Sequence, residues 1–284
     1  MTGTFGERLR AAMSRRGPLC AGIDPHSSLL CDWGLPDTAA GARELGLAVL
    51  DAVDGRVAAV KPQSAFFERF GAAGIAALEE ILSDARRRGI ITILDAKRGD
   101  IGSTMAAYSA GVLRTGAPME ADALTVSPYL GFGSLTPAID DCRSHNKGVF
   151  VLCLTSNPDG PEVQHAVRSG SSTARTIAER AAALNRAPSG EGAEPGQWGS
   201  VGLVIGATVG EAVQNLGIDL DAVNGPILAP GFGAQGAGPE QLRTVFGAAA
   251  SRVLVSMSRS LLSAGPDARR IAEACEAARA EYAL

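Results

Sequence analysis

Asp95, Lys97 and Asp100 fall within six positions of one another, in the string Asp95-Ala96-Lys97-Arg98-Gly99-Asp100-Ile101-Gly102-Ser103-Thr104. Two carboxylates and an ammonium held this close form a charge array in which opposite charges favour each other's ionised form. A fixed ammonium can stabilise developing negative charge or deliver a proton, and a fixed carboxylate can orient it. The same residue types also serve as a helix cap or as solvated decoration where a strand gives way to a helix. What surrounds the string decides between these readings.

The string follows the apolar run Ile90-Ile91-Thr92-Ile93-Leu94, which is β-branched-rich and bounded by Gly89, the mark of a buried strand. Alternation along a strand places Asp95 and Lys97 on one face at its carboxyl end, and Asp100, after a glycine turn, is placed to start the next helix. Seven further runs have strand character, so the expected strands are 19–24, 58–61, 90–95, 123–127, 149–154, 201–205, 226–230 and 253–257. Ala-, Leu- and Arg-rich segments of helical character lie between them: 41–52, 74–88, 103–115, 134–146, 173–186, 208–216, 239–249 and 266–283. Eight β-α units predict an α/β fold, a (β/α)8 barrel spanning 1–284 as one domain, with an extra N-terminal helix over 5–14. The Pro/Gly-rich stretch 187–200 reads as a surface loop.

Composition is consistent with this and excludes other classes. The chain has 284 residues, 46% hydrophobic and 20% charged, with net charge −4, enough to bury a barrel core. Mild acidity and 5% aromatic content argue against nucleic acid, and no apolar run is long enough to span a membrane. The opening Met1-Thr2-Gly3-Thr4-Phe5-Gly6 lacks the apolar core of a signal peptide. Five cysteines without paired spacing fit a reducing cytoplasm, with Cys20 and Cys153 expected as buried thiols. His26, His145 and His165 are dispersed, so no zinc centre and no cofactor are expected; His26, just beyond Asp24, reads either as a residue lining the site or, the favoured account, as a loop histidine satisfied by backbone.

In a barrel the chemistry sits where strands end. Those ends carry Asp24, Lys61 (held extended by Pro62), Asp95 with Lys97, then Thr155-Ser156-Asn157, Pro230-Gly231-Phe232-Gly233-Ala234-Gln235 and Ser256-Met257-Ser258-Arg259. Each has an ordinary structural explanation singly; together they place acids, amines, an amide and a guanidinium on one rim. Gly231-x-Gly233-x-x-Gly236 also fits a dinucleotide fingerprint, but it follows the seventh strand, and the apolar run 253–257 supplies no acid where one is needed. A glycine loop after the seventh strand of a barrel is instead a phosphate cradle, because backbone N–H groups can approach oxyanions closely.

These segments resemble the orotidine 5′-monophosphate decarboxylase family, in its longer bacterial form. The resemblance rests on Gly22-Ile23-Asp24, Val60-Lys61-Pro62, the 95–104 string, Leu154-Thr155-Ser156-Asn157-Pro158, Ala229 through Gly236 and Met257-Ser258-Arg259-Ser260, in order and over most of the chain. It implies a catalytic tetrad of Lys61, Asp95, Lys97 and Asp100, with Lys97 as proton donor, no metal and no other cofactor. It also implies a homodimer in which Asp100 and Thr104 reach the partner's site. Asp24 and Lys61 would hold the ribose, and Ser156 the pyrimidine. Pro230, Gly231, Gln235, Ser258 and Arg259 would line the phosphate end. Three rivals have different expectations: a Mg2+-dependent sugar-phosphate lyase or synthase on the same barrel, a non-catalytic phosphoribosyl-ligand sensor, and a module of a larger assembly.

Overall fold

The computed structural model describes residues 3–186, 196–234 and 236–283. Its centre is a closed barrel of eight parallel strands. These are β1 (Leu19–Ile23), β2 (Ala59–Pro62), β3 (Ile91–Arg98), β4 (Ala123–Val126), β5 (Gly148–Leu154), β6 (Val201–Ile205), β7 (Ile227–Pro230) and β8 (Val253–Met257). Each strand pairs with its sequence neighbours and β8 pairs with β1, so the barrel has no free edge. The expected (β/α)8 architecture is therefore the one observed.

Period-2 alternation divides the strand side chains between two apolar layers. Leu19, Ala21 and Ile23 of β1 face the surrounding helices, whereas Cys20 joins Ala59, Ile91, Ile93, Phe150 and Leu254 inside the barrel. The extra helix α1 (Phe5–Arg16) places Phe5, Leu9, Ala12 and Met13, an i, i+4, i+7, i+8 stripe, onto that inner layer. Thr4 and Glu7 cap its start reciprocally. Phe5 meets Phe150 edge-on, ring centroids 5.9 Å apart, and Gly148 makes room, since a Cβ there would stand 2.1 Å from the Phe5 ring. Closing the N-terminal mouth leaves the carboxyl ends of the strands as the barrel's open end.

Several boundaries differ from the sequence reading, each for a local reason. β3 continues past Asp95 to Arg98 because Arg98 re-pairs with Val126 after a slip in register. The expected helix 208–216 shrinks to Ala212–Asn215, between Gly210 (φ +60°) and Gly217 (φ +64°). The start of 134–146 is a 3-10 turn, Phe132–Leu135, before the helix Thr136–His145. The α-helix expected over 239–249 stops at Phe246, where Gly247 takes φ +51°. Short helices such as Ser27–Asp32 and Gly160–Gln164 are too brief for a periodic signal. The expected loop 187–200 lies outside the described residues over 187–195, but its Trp198 packs against the α1 layer instead of standing clear of the surface.

Cys20 and Cys153 are buried, and burial pushes each thiol up to about 12. No helix among the described residues is long and apolar enough to cross a membrane.

Candidate active site

A cavity of about 590 Å³ opens at the carboxyl ends of the strands. It gathers Asp24 from the end of β1, Lys61 from β2, Asp95 and Lys97 from β3, Ser156 from beyond β5, Pro230 and Gly231 from β7, and Ser258 with Arg259 from beyond β8. An equally large cavity at the other end, beneath α1 and the C-terminal helix Ala268–Glu281, is lined among the described residues by Arg10 and the Arg279–Glu276 ion pair, without a convergent array of acids and amines.

Asp95 is the hub. Its Oδ2 accepts from Lys61 Nζ at 3.0 Å and Gln63 Nε2 at 2.9 Å, and its Oδ1 accepts from Lys97 Nζ at 2.7 Å and Thr125 Oγ1 at 2.8 Å. Burial by itself would push this carboxyl up, but the Lys61 and Lys97 ammoniums hold it well below the usual carboxylate range. Lys61 shows the mirror balance: burial pulls it down, and Asp95, then Asp24, raise it above its ordinary value. Two ammoniums thus share one fully bonded carboxylate, a fixed positive field that requires no rearrangement when negative charge develops opposite it.

The backbone that presents Lys97 is irregular. Lys97 adopts φ +48°, a left-handed conformation unusual for a side chain of this type, and the β3–β4 register shifts between Leu94 and Arg98. Such a residue costs about 1–3 kcal/mol and persists where its surroundings over-determine it. Simple alternation therefore brings Asp95 and Lys97 to one side for the wrong reason: a bulge re-aims Lys97 onto the Asp95 carboxylate.

Other groups in the cavity have open valences. Asp24 Oδ1 and Ser258 Oγ are buried without a hydrogen-bond partner among the described residues. Gly22 permits their approach, because a Cβ there would lie 2.6 Å from Ser258 Cβ. Arg259 is exposed at the rim and has no carboxylate partner among the described residues. The loop after β7 turns tightly through Gly231 (φ +112°) and Gly233 (φ +67°). Phe232 anchors it on Tyr282, centroids 5.2 Å apart, and Tyr282 Oη donates to Ala237 O. Ser156 is presented by a loop tied back through Gln164, whose Oε1 accepts from Thr155 N at 2.8 Å.

Not every sequence-expected residue lines this cavity. Asp100 and Thr104 do not. Asp100 also does not cap the next helix: Ile101 is the N-cap of Gly102–Leu113, and Asp100 Oδ1 accepts from Ile101 N at 2.8 Å. Gln235 lies outside the described residues. His26 lines the cavity, the less favoured of its two readings, and its ring lies against Phe66 with centroids 4.0 Å apart and planes tilted by 59°. Gln63 and Thr125 went unnoticed in the sequence. Gln63, two positions past Lys61, shares its side of the extended chain, and Thr125 is a lone hydroxyl in a buried apolar strand; either signal was available.

Residues 17–275 match the family model described as orotidine 5′-phosphate decarboxylase / HUMPS family. An orotidine 5′-phosphate decarboxylase of Streptomyces coelicolor is 54% identical over 274 residues, covering 96% of this chain and 94% of that protein. A solved structure from Streptomyces avermitilis superposes with a TM-score of 0.92 at 52% identity, covering 99% of this chain and 95% of the other. The structure of Leishmania donovani OMP decarboxylase gives 0.75 at 34% identity, with 99% of each chain covered.

Proposed function

The chain belongs to the orotidine 5′-phosphate decarboxylase / HUMPS family, and from that premise we propose that it removes the C6 carboxylate of orotidine 5′-monophosphate as CO2, leaving UMP. Its class is that of a carbon–carbon lyase in pyrimidine biosynthesis. The observation that carries the reading is the Lys61–Asp95–Lys97 triad, bonded through both oxygens of one carboxylate at the open end of the barrel.

The chemistry needs such an array. As the C6–carboxylate bond breaks, its electron pair stays on C6 in an sp2 orbital that the ring stabilises poorly. The Lys97 ammonium opposes that charge and gives C6 its proton, then regains one from solvent. Asp95 keeps the Lys97 ammonium aimed. The positive charge facing the base comes from the chain's own ammoniums, so the reaction proceeds without a metal. Asp24 and Lys61 take the ribose hydroxyls, Ser156 the pyrimidine edge, and Arg259 with Ser258, Gln235 and the Pro230–Gly231 turn the 5′-phosphate. Arg259 suits this because its planar fork matches phosphate oxygens. Binding the remote phosphate supplies energy for closing the loop that follows the Phe232 anchor, from Gly233 and Ala234 onward, over the base.

The working unit is a homodimer in the cytoplasm. Asp100 and Thr104 lie along the chain on either side of Ile101, which is 62% exposed, and Tyr108, Tyr129 (78% exposed) and Leu130 are exposed apolar side chains as well, the residue types that a second copy would cover. From there Asp100 completes the partner's tetrad, facing the departing carboxylate, and Thr104 adds a contact to the partner's substrate.

An ultraviolet assay with orotidine 5′-monophosphate in the presence of EDTA tests the activity, and conversion to UMP is the expected result. Silence there, with Mg2+ restoring turnover of a sugar phosphate, would sink the decarboxylase in favour of the lyase or synthase; silence on both would leave a ligand sensor. The shared site has its own test. Mixed, unfolded and refolded together, Lys97→Ala and Asp100→Ala chains form hybrid dimers with one native site each, so activity should return to roughly one quarter of wild type. Two inactive variants that stay inactive on mixing would refute the shared site.

A further inference from the structure

The left-handed Lys97 and the register slip beside it are bridged by one side chain. Thr125, on β4 and 1% exposed, accepts from Ala96 N at 3.0 Å and from Lys97 N at 2.9 Å, and donates to Asp95 Oδ1 at 2.8 Å. A hydroxyl has one hydrogen and two lone pairs, and here all three are used. Asp95 Oδ1 also receives Lys97 Nζ at 2.7 Å. A closed ring results: the Lys97 backbone is tied to Thr125, Thr125 to Asp95, and Asp95 to the tip of the Lys97 side chain.

We infer that Thr125 is a positioning residue for the decarboxylation, clamping the β3 bulge so that both the root and the tip of the Lys97 side chain are fixed. This rests on the reading of Lys97 as proton donor. Lys97 gains from such a device because its side chain is 45% exposed and has four rotatable bonds, so the position of its ammonium is sensitive to how its root is held. Thr suits the place better than Ser. Its β-branch restricts χ1 and holds the hydroxyl on three partners at once, while its methyl group belongs in an apolar strand. Thr125 borders the same cavity, but its hydroxyl is fully used on Ala96, Lys97 and Asp95, so it acts on where Lys97 sits when the proton moves.

Thr125→Val keeps the shape and removes the hydroxyl, and Thr125→Ser keeps the hydroxyl. With Val, kcat should fall on the order of 10²-fold, as expected for a reacting group displaced by about an ångström, while UMP binding changes by less than about threefold. Amide hydrogen exchange at Ala96 and Lys97 should quicken in the same variant. Ser should restore slow exchange and bring kcat to within about tenfold of wild type. Near-normal kcat with Val, an equal defect with Ser, or parallel loss of kcat and UMP affinity would each overturn the inference. Inactivity of the wild-type chain on orotidine 5′-monophosphate would instead overturn the decarboxylase reading, and the exchange series would then decide the clamp by itself.

Discussion

Lys97→Ala is expected to lower the turnover of orotidine 5′-monophosphate by about 10⁴-fold or more, because one deletion removes both the general acid and the nearest stabilising charge. The fold should survive. Lys97 is the more exposed of the two amines on Asp95, so water can occupy its place, while Lys61, Gln63 and Thr125 continue to satisfy the carboxylate. UMP affinity should change little, since the product lacks the carboxylate and the groups proposed for ribose and phosphate are untouched. The informative set of measurements is single-turnover decarboxylation, UMP binding and thermal melting on the same preparation. A variant that retained a near-normal rate would show the mechanism to be wrong even with the activity established. A variant that lost UMP binding in step with turnover would show Lys97 acting in ground-state recognition instead.

Asp95→Asn should damage both stability and catalysis. The amide is nearly isosteric, but it presents an NH2 to one of two ammoniums and leaves Lys61 buried with Asp24 as the remaining nearby carboxylate. Removing one partner of a buried pair costs about 3–5 kcal/mol. Turnover should also fall, by at least about 10²-fold, because Lys97 loses the group that aims it. The pH dependence has a definite sign. Asp95 is held below its unfolded value of about 3.9, so its contribution is fully present above that pH and fades as pH falls through the folded value. Lys61 is held above its unfolded value of about 10.4, so its contribution is present below that pH and lost as pH rises through the folded value. Urea unfolding of wild type and Asp95→Asn should therefore differ most near neutrality and converge in acid. Equal stability at pH 7, or a gap that widened below pH 4, would contradict this account of the carboxylate.

Strand and helix order, the closed barrel and the rim of charged strand ends were all legible in the sequence. The reason is local: burial on both faces of a parallel strand forces short apolar runs, and a polar residue just beyond such a run has to emerge at its end. That logic placed Asp24, Lys61, Asp95, Lys97, Ser156 and Arg259 around one cavity before their geometry was in view. It failed where a relation spans separate strands. Thr125 lies 30 residues from Asp95, and the three bonds of its hydroxyl depend on a register slip that no repeat in the chain announces. Gln63 reaches Asp95 across 32 residues, and the His26 ring meets Phe66, 40 positions on, in a tilted contact that joins the segments after two different strands. The amino-acid sequence by itself determined which groups reach the rim, because alternation and burial act along the chain. Tertiary structure alone decided which of them touch, because the pairing of β3 with β4 and the bulge within it set the distances at which charge and hydrogen bonding act.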